Sequence, residues 1–280
     1  MVDRKMLLGV TVAPSDPDLL IEQVRFAEQA GLDFVLFEDA GAPLSPIEAA
    51  AFAAAHTRSI ALVAGAAATH AEPFHLANQF ASLDWGTHGR AGWFVSTDRT
   101  SQRSQAYSTS VPDPDTAQRE SEAVVQTARR LWDSWEDEAL IADLDTGRFL
   151  DAGKIHYVDV ENEFFRIRGP ALMPRPVQGQ VVVLARHKDQ IPDVDVVLVE
   201  TLEQADRTTS RVFAETSDVN DIRTLDGHVD GVLVRADDPR NVFGENVLRE
   251  LGRPGVPVAA ETLRQKLGLP RPASQNRKER

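Results

Sequence analysis

The sequence predicts a (β/α)₈ barrel, and three observations carry that expectation. Eight short apolar or β-branched runs recur along the chain, four of them before residue 96 and four after residue 180. In the first half they alternate with helical segments as β/α steps do. The runs also lack strict polar alternation, as expected of parallel strands covered on both faces. A chain of 280 residues, 42% hydrophobic and 26% charged, can bury one large core, and barrels of this size are commonly one domain.

The run from Met6 to Val12, closed by Pro14, reads as the first strand. Ser15 or Asp16 is placed to cap a helix over residues 17–30, whose Leu20, Val24 and Ala27 share one face before Gly31 stops it. Residues 33–37, DFVLF, form the second strand and end at Glu38 and Asp39. Ser45 and Pro46 open the helix PIEAAAFAAAH, and residues 60–68 are the third strand. Residues 74–98 then supply a helix with Leu76, Phe80 and Leu83 on one face, a turn at Gly86 to Gly89, and the fourth strand over 91–95. After these four steps a doubly wound sheet and a closed barrel are both open.

Residues 99–115 are polar and read as a long loop. A helix is expected over 116–142, with Trp132 and Trp135 as packing residues on its apolar side. The turn-rich segment that follows suggests an insertion at about 143–180 with a β-hairpin around 155–167. Strand signals resume at 181–184, 194–199, 211–214 and 229–234, which brings the count to the eight of a barrel. Among the later connections, 201–210 reads as a modest helix, 217–227 as a short polar link, and 241–252 and 262–267 as the last helices. The expected organisation is a barrel over 1–269 and a loosely packed polar tail over 270–280, with Arg271, Arg277, Lys278 and Arg280 as a solvated end.

The formal net charge of −13 argues against nucleic-acid and anionic-membrane surfaces, which need clustered Lys and Arg. With no cysteine there is no disulfide framework, thiolate nucleophile or Cys-ligated metal. No secretory h-region and no apolar run of roughly 18 to 20 residues is present, so a cytoplasmic protein is expected. The segment HAEPFH, holding His70, Glu72 and His75, has a proline inside and the wrong spacing for paired helical ligands, so no metal is expected. His56, in the Ala-rich helix, reads as a surface or satisfied histidine.

Five segments in order, AEQAGLDFVLFEDA, the stretch from SPIEAAAFAAAH to GTHGRAGW, RRLWDSWEDEAL, the stretch from TGRFLDAGK to FFRIRGPALMPRPVQGQ, and TLRQKLGLPRP, resemble the luciferase-like flavin monooxygenases. The nearest branch is the two-component nitrilotriacetate and dibenzothiophene-sulfone monooxygenase group. That resemblance implies a TIM barrel. It implies reduced flavin mononucleotide (FMN) delivered by a separate flavin reductase, dioxygen, a small organic substrate that is oxygenated, and a homodimer or homotetramer. The cofactor then carries the hard chemistry and few acid–base residues are needed.

Carried over by position, Asp39, Thr69 and Thr97 match family positions near the flavin pocket, with Ser96 beside them. Phe94 stands where the family continues GRAGW with Asn, and Asp98 stands where a hydroxyl is expected. Of the family's His-Asp-x-Arg-Tyr motif only Asp115 is kept. After the fifth barrel strand the family has a Gln-Ala-Gly-x-Ser run that cradles the flavin phosphate; here Arg186, His187 and Lys188 replace it by charge. Asp39 with Glu38, and Asp98, are the candidate acid–base groups, against the plainer readings that such carboxylates cap the next element or bond Arg99 and the loop. Two readings follow: an FMN-dependent monooxygenase, or a family scaffold with a degenerate flavin site acting as a binding or regulatory protein.

Overall fold

The computed structural model describes residues 6–13, 16–38, 44–205, 210–252 and 261–276. Eight parallel strands close into a barrel: β1 (Leu7–Val12), β2 (Phe34–Phe37), β3 (Ala61–Ala67), β4 (Ala91–Ser96), β9 (Val182–Arg186), β10 (Val196–Val199), β11 (Arg211–Thr216) and β12 (Gly231–Val234), with β12 pairing back to β1. Helices α1 (Pro17–Gln29), α2 (Pro46–Ala54) and α3 (Pro73–Gly86) connect the first four strands. Between β4 and β9 the chain inserts α4 (Ser101–Ala106), α5 (Pro114–Trp132) and two antiparallel pairs, β5 (Leu140–Asp143) with β6 (Arg148–Leu150) and β7 (Val158–Glu161) with β8 (Arg166–Gly169). The later connections hold α6 (Asp221–Leu225), α7 (Pro239–Val242), α8 (Glu245–Glu250) and α9 (Leu263–Lys266). Among the described residues no helix is long and apolar enough to cross a membrane.

One device recurs at the amino-terminal ends of the strands. Asp33, just before β2, donates its own N–H to the Leu8 carbonyl at 2.7 Å and accepts the Leu8 N–H on Oδ2 at 2.8 Å. Asp195 makes the same two bonds to Val183 and Asp230 to Val212, the carboxylate bond being 2.9 Å in both. Each aspartate thus grips both polar groups of one residue in the preceding barrel strand and satisfies a backbone donor at the sheet's rim. The sequences LDFVLF, VDVVLV and VDGVLV carry the device openly. Asp195 is also ion-paired to Arg129 and Arg264, both at 3.0 Å.

Strand periodicity fills the lumen. Phe34 and Leu36 of β2, Val63 of β3, Phe94 of β4, Leu184 of β9, Phe213 of β11 and Leu233 of β12 pack there, and Leu263 and Leu267 of the α9 region close its lower end. Phe34 and Phe213 meet with ring centres 5.5 Å apart. Two glycines make room for them: a Cβ on Gly9 would lie 2.2 Å from the Phe34 ring, and one on Gly231 2.6 Å from that of Phe213. The outer core lies between barrel and helices, where Trp93 stacks on Phe80 at 5.2 Å and meets Trp132 edge-on. Trp132 and Trp135 are packing residues, with Nε1 donating to the carbonyls of Ala77 and Ala171.

Several boundaries differ from the sequence expectation. The helix expected to reach Ala142 ends at Trp132, because the next turn is claimed by tertiary bonds: Asp133 takes Arg175 and Gln180, and Trp135 bridges to Ile155. The loop over 99–115 contains α4, whose first turn is capped by the Thr100 hydroxyl accepting the Arg103 N–H. The insertion holds two hairpins rather than one. The helix expected over 201–210 is a single 3₁₀ turn, Leu202–Gln204, and residues 206–209 lie outside the described residues. Ser45 precedes α2 in extended conformation but makes no side-chain capping bond, whereas Asp16 caps α1 as expected. The segment 217–227 contains α6. Residues 271–276 of the tail dock where loose packing was expected: Arg271 is held by Asp137, the Pro272 carbonyl by Arg175, and Asn276 donates to the Asp133 carbonyl; Arg277, Lys278 and Arg280 lie outside the described residues.

Candidate active site at the carboxyl-terminal rim

Two residues beyond the last lumen hydrophobics, the same periodicity turns four charges inward. Glu38 follows Leu36, Arg186 follows Leu184, Glu215 follows Phe213 and Arg235 follows Leu233. Arg186 donates Nε and Nη2 to the two Glu215 oxygens, both at 2.8 Å, and Nη2 also to Glu38 at 2.6 Å. Arg235 bridges the same two carboxylates at 2.6 and 2.9 Å. Burial pushes the Glu215 carboxyl up, but the hydrogen bonds from Arg186 and Arg235 outweigh it and hold the group below the usual carboxylate range. Burial likewise works against both guanidiniums, and their carboxylate partners hold them above their ordinary range. This ring of alternating charge lies over the apolar lumen, and its parity was readable in the sequence.

Around that ring the sequence-predicted residues are dispersed. Thr69 is fully buried and its hydroxyl donates to the Asp98 carbonyl at 2.7 Å, tying the loop after β3 to the loop after β4. Ser96 ends β4, its carbonyl accepting the Ala68 N–H. The Thr97 hydroxyl donates to Asp189 at 2.8 Å. The Asp98 carboxylate accepts the Thr100 N–H, which matches the plainer reading that it bonds the loop. After β9, residues His187–Asp189 form a 3₁₀ turn that closes on itself, the Gln190 N–H and side-chain amide both donating to the His187 carbonyl. Lys188 is 63% exposed and stands 3.9 Å from Glu200. Asp39 lies outside the described residues.

The open space lies beside β3. A cleft of about 570 Å³ is walled by Gly65, Ala66 and Ala67, floored by Leu76 and Ala71 of the α3 region, and bordered by His70, Arg103 and Tyr107. His70 adopts a left-handed backbone (φ 56°), uncommon for a residue with a side chain, and its N–H donates to Glu120 at 2.8 Å. Its Nε2 lies 3.3 Å from the Ser104 hydroxyl and 3.4 Å from that of Thr109. Arg103 donates Nε to the Thr69 carbonyl at 3.2 Å, and its guanidinium carbon sits 5.4 Å from the Tyr107 ring centre. Sequence reasoning missed Arg103 and Tyr107 because the α4 segment that carries them reads as loop from composition alone.

Comparison with known proteins gives one family and a consistent fold. Residues 7–196 match the family described as luciferase-like monooxygenase. The N-acetyl-S-(2-succino)cysteine monooxygenase of Bacillus subtilis (strain 168) is 34% identical over 188 residues, 61% of this chain and 43% of that protein. One of the subunits of pristinamycin IIA synthase from Streptomyces pristinaespiralis is 32% identical over 268 residues, 90% of this chain and 89% of that one. This chain therefore spans under half of the first relative's length and most of the second's. The solved EDTA monooxygenase from Chelativorans sp. BNC1 superposes with a TM-score of 0.79 at 17% identity, covering 96% of this chain and 99% of that one, a likeness of fold.

Proposed function

The chain belongs to the luciferase-like monooxygenase family, and from that membership we propose that it is a two-component oxygenase, an oxidoreductase that takes reduced FMN from a separate flavin reductase and oxygenates a small organic substrate. The observation that carries the reading is the cleft beside β3. It lies at the carboxyl-terminal rim, where barrel enzymes keep their sites, and its volume suits a flat cofactor or substrate.

The residues present fit FMN in one place and not in another. The turn after β9 does not fit the phosphate: its backbone closes on His187, Arg186 is neutralised by Glu38 and Glu215, and the Asp189 carboxylate stands beside it. Thr69 and Thr97 spend their hydroxyls on fixing the loops after β3 and β4. The cleft does fit, because the Gly65 to Ala67 wall has almost no side chain to obstruct a ring and Arg103 offers a cation. When bound, the flavin supplies activation of dioxygen. The chain's own part would be to line the place of the ring with that wall and with Leu76 and Tyr107, and to set the His70 imidazole at its border.

The test is an anaerobic titration of the purified chain with reduced FMN, followed by oxygen uptake with a flavin reductase present. Micromolar binding is expected. A Kd weaker than about 1 mM, only ~4 kcal/mol, overturns the reading.

We also propose a cytoplasmic homo-oligomer that pairs through α2 and α3. The α2 sequence PIEAAAFAA is apolar on nearly all sides, which a helix facing water alone does not sustain. A groove of about 960 Å³ runs between the two helices, and Phe52 of α2 and Trp85 of α3 are each 40% exposed. Glu48 lines it near the start of α2 and Arg58 lies beyond that helix's end, so two copies in antiparallel register place opposite charges together.

A further inference from the structure

We propose that the cleft beside β3 is an anion-anchored ligand site, in which Arg103 takes the carboxylate or phosphate group of the bound molecule. The other arginines of the inward ring and of the cleft lining are already paired. Arg186 and Arg235 are cancelled by Glu38 and Glu215, and Arg166 at the cleft edge is paired with Glu161. Among the described residues no carboxylate lies on Arg103. Its bonds run to the Thr69 and Ala67 carbonyls, which orient the guanidinium without cancelling its charge. Glu72, the acid that lines the cleft, caps α3 through the N–H groups of Phe74 and His75 and makes no ion pair with Arg103.

The geometry adds to the charge. The guanidinium is stacked near Tyr107 and held at one edge by backbone, which is how an arginine is preorganised to offer its remaining N–H donors to an oxyanion. In a chain of net charge −13 an anionic ligand meets general repulsion, so one uncancelled cation in a cleft decides where it settles. Carboxylate and phosphate share that oxyanion chemistry; the first would belong to a substrate and the second to the flavin. The inference deepens the oxygenase reading and rests on it for the identity of the ligand.

Isothermal titration of the full chain with FMN, riboflavin, succinate and inorganic phosphate, in the wild type, Arg103→Gln and Arg103→Lys, tests it, with thermal melts confirming that each variant is folded. Arg103→Gln is expected to weaken FMN or succinate at least tenfold, with Arg103→Lys recovering part of the loss. If FMN falls to the level of riboflavin and inorganic phosphate competes, the anion is the flavin phosphate. A loss confined to succinate assigns a substrate carboxylate. Should Arg103→Gln not fold, Arg103→Lys carries the comparison, with at least threefold weakening expected from loss of the planar fork. Affinities within twofold of wild type for every probe, or no binding of any of the four, overturn the proposal. FMN binding untouched by the variants, with no Arg103-dependent loss of succinate, overturns the site and leaves the oxygenase reading standing; Arg103-dependent succinate binding without any FMN binding does the reverse.

Discussion

The Arg186 guanidinium carbon sits 4.8 Å from the centre of the Phe94 ring, and the same guanidinium is forked onto Glu215. The ring below is apolar lumen and the carboxylate beside it is 7% exposed, so the charge is paired before it is buried. Replacing Arg186 by Met leaves two inward carboxylates sharing Arg235 alone. Denaturant unfolding at neutral pH is expected to show a loss on the order of 3 kcal/mol. Arg235→Ala, at a side chain 48% exposed, should cost under about 1 kcal/mol. Equal losses for the two would contradict the ring as described.

Asp84 gives a pH signature. Burial pushes its carboxyl up to about 6, against the hydrogen bonds from Gln178 that favour the ionised form. A raised carboxyl binds its proton in the folded chain where the unfolded chain has already released it. Its contribution is therefore most favourable below the unfolded value of 3.8 and is lost as pH rises through about 6. The full span corresponds to about 3 kcal/mol as an upper bound. Unfolding free energies between pH 4 and pH 7.5, wild type against Asp84→Asn, should differ by a pH-dependent amount that flattens above pH 7. A constant difference would contradict the assignment.

Gly9 and Phe34 form a second testable pair. The Cβ of Gly9→Ala would fall 2.2 Å from the Phe34 ring, so the variant must displace a lumen side chain. A destabilisation of about 1–3 kcal/mol is expected, and Gly9→Ala combined with Phe34→Leu should cost less than the sum of the two single changes. Strict additivity in this cycle would show that the ring moves away at no cost.

The α2–α3 groove predicts a surface variant with no effect on the barrel. Phe52→Glu is expected to convert an oligomer to a monomer in light-scattering chromatography while leaving the melting temperature of the monomer unit nearly unchanged. A wild-type chain that is already monomeric at micromolar concentration would remove the proposed pairing.

The barrel was legible because each strand writes its own parity. Leu36, Leu184, Phe213 and Leu233 announce the lumen, and eight such runs fix the count. The inward charges one step further along were equally present in sequence, yet Arg186 reads as a free phosphate ligand until Glu38 and Glu215, from distant strands, are seen to meet it. The end of α5 at Trp132 was not legible: the pattern continues helical, and it is Arg175, 42 residues later, that claims Asp133. Arg103, Tyr107 and the left-handed turn at His70 were hidden for a related reason, since a six-residue helix rich in Ser and Gln leaves no periodic trace.

The aspartates that open β2, β10 and β12 bear on how such a barrel diverges. Each clamps a neighbouring strand at the end remote from the ligand rim, through two bonds that a one-residue slip would break together. Registration is thus held from below, and the loops above are free to drift. The turn after β9 can close into a 3₁₀ turn, and the loop after β4 can carry a short helix bearing an arginine, while the strands beneath keep their alignment. The opposite rim acts as the anchor that lets the working rim be rewritten.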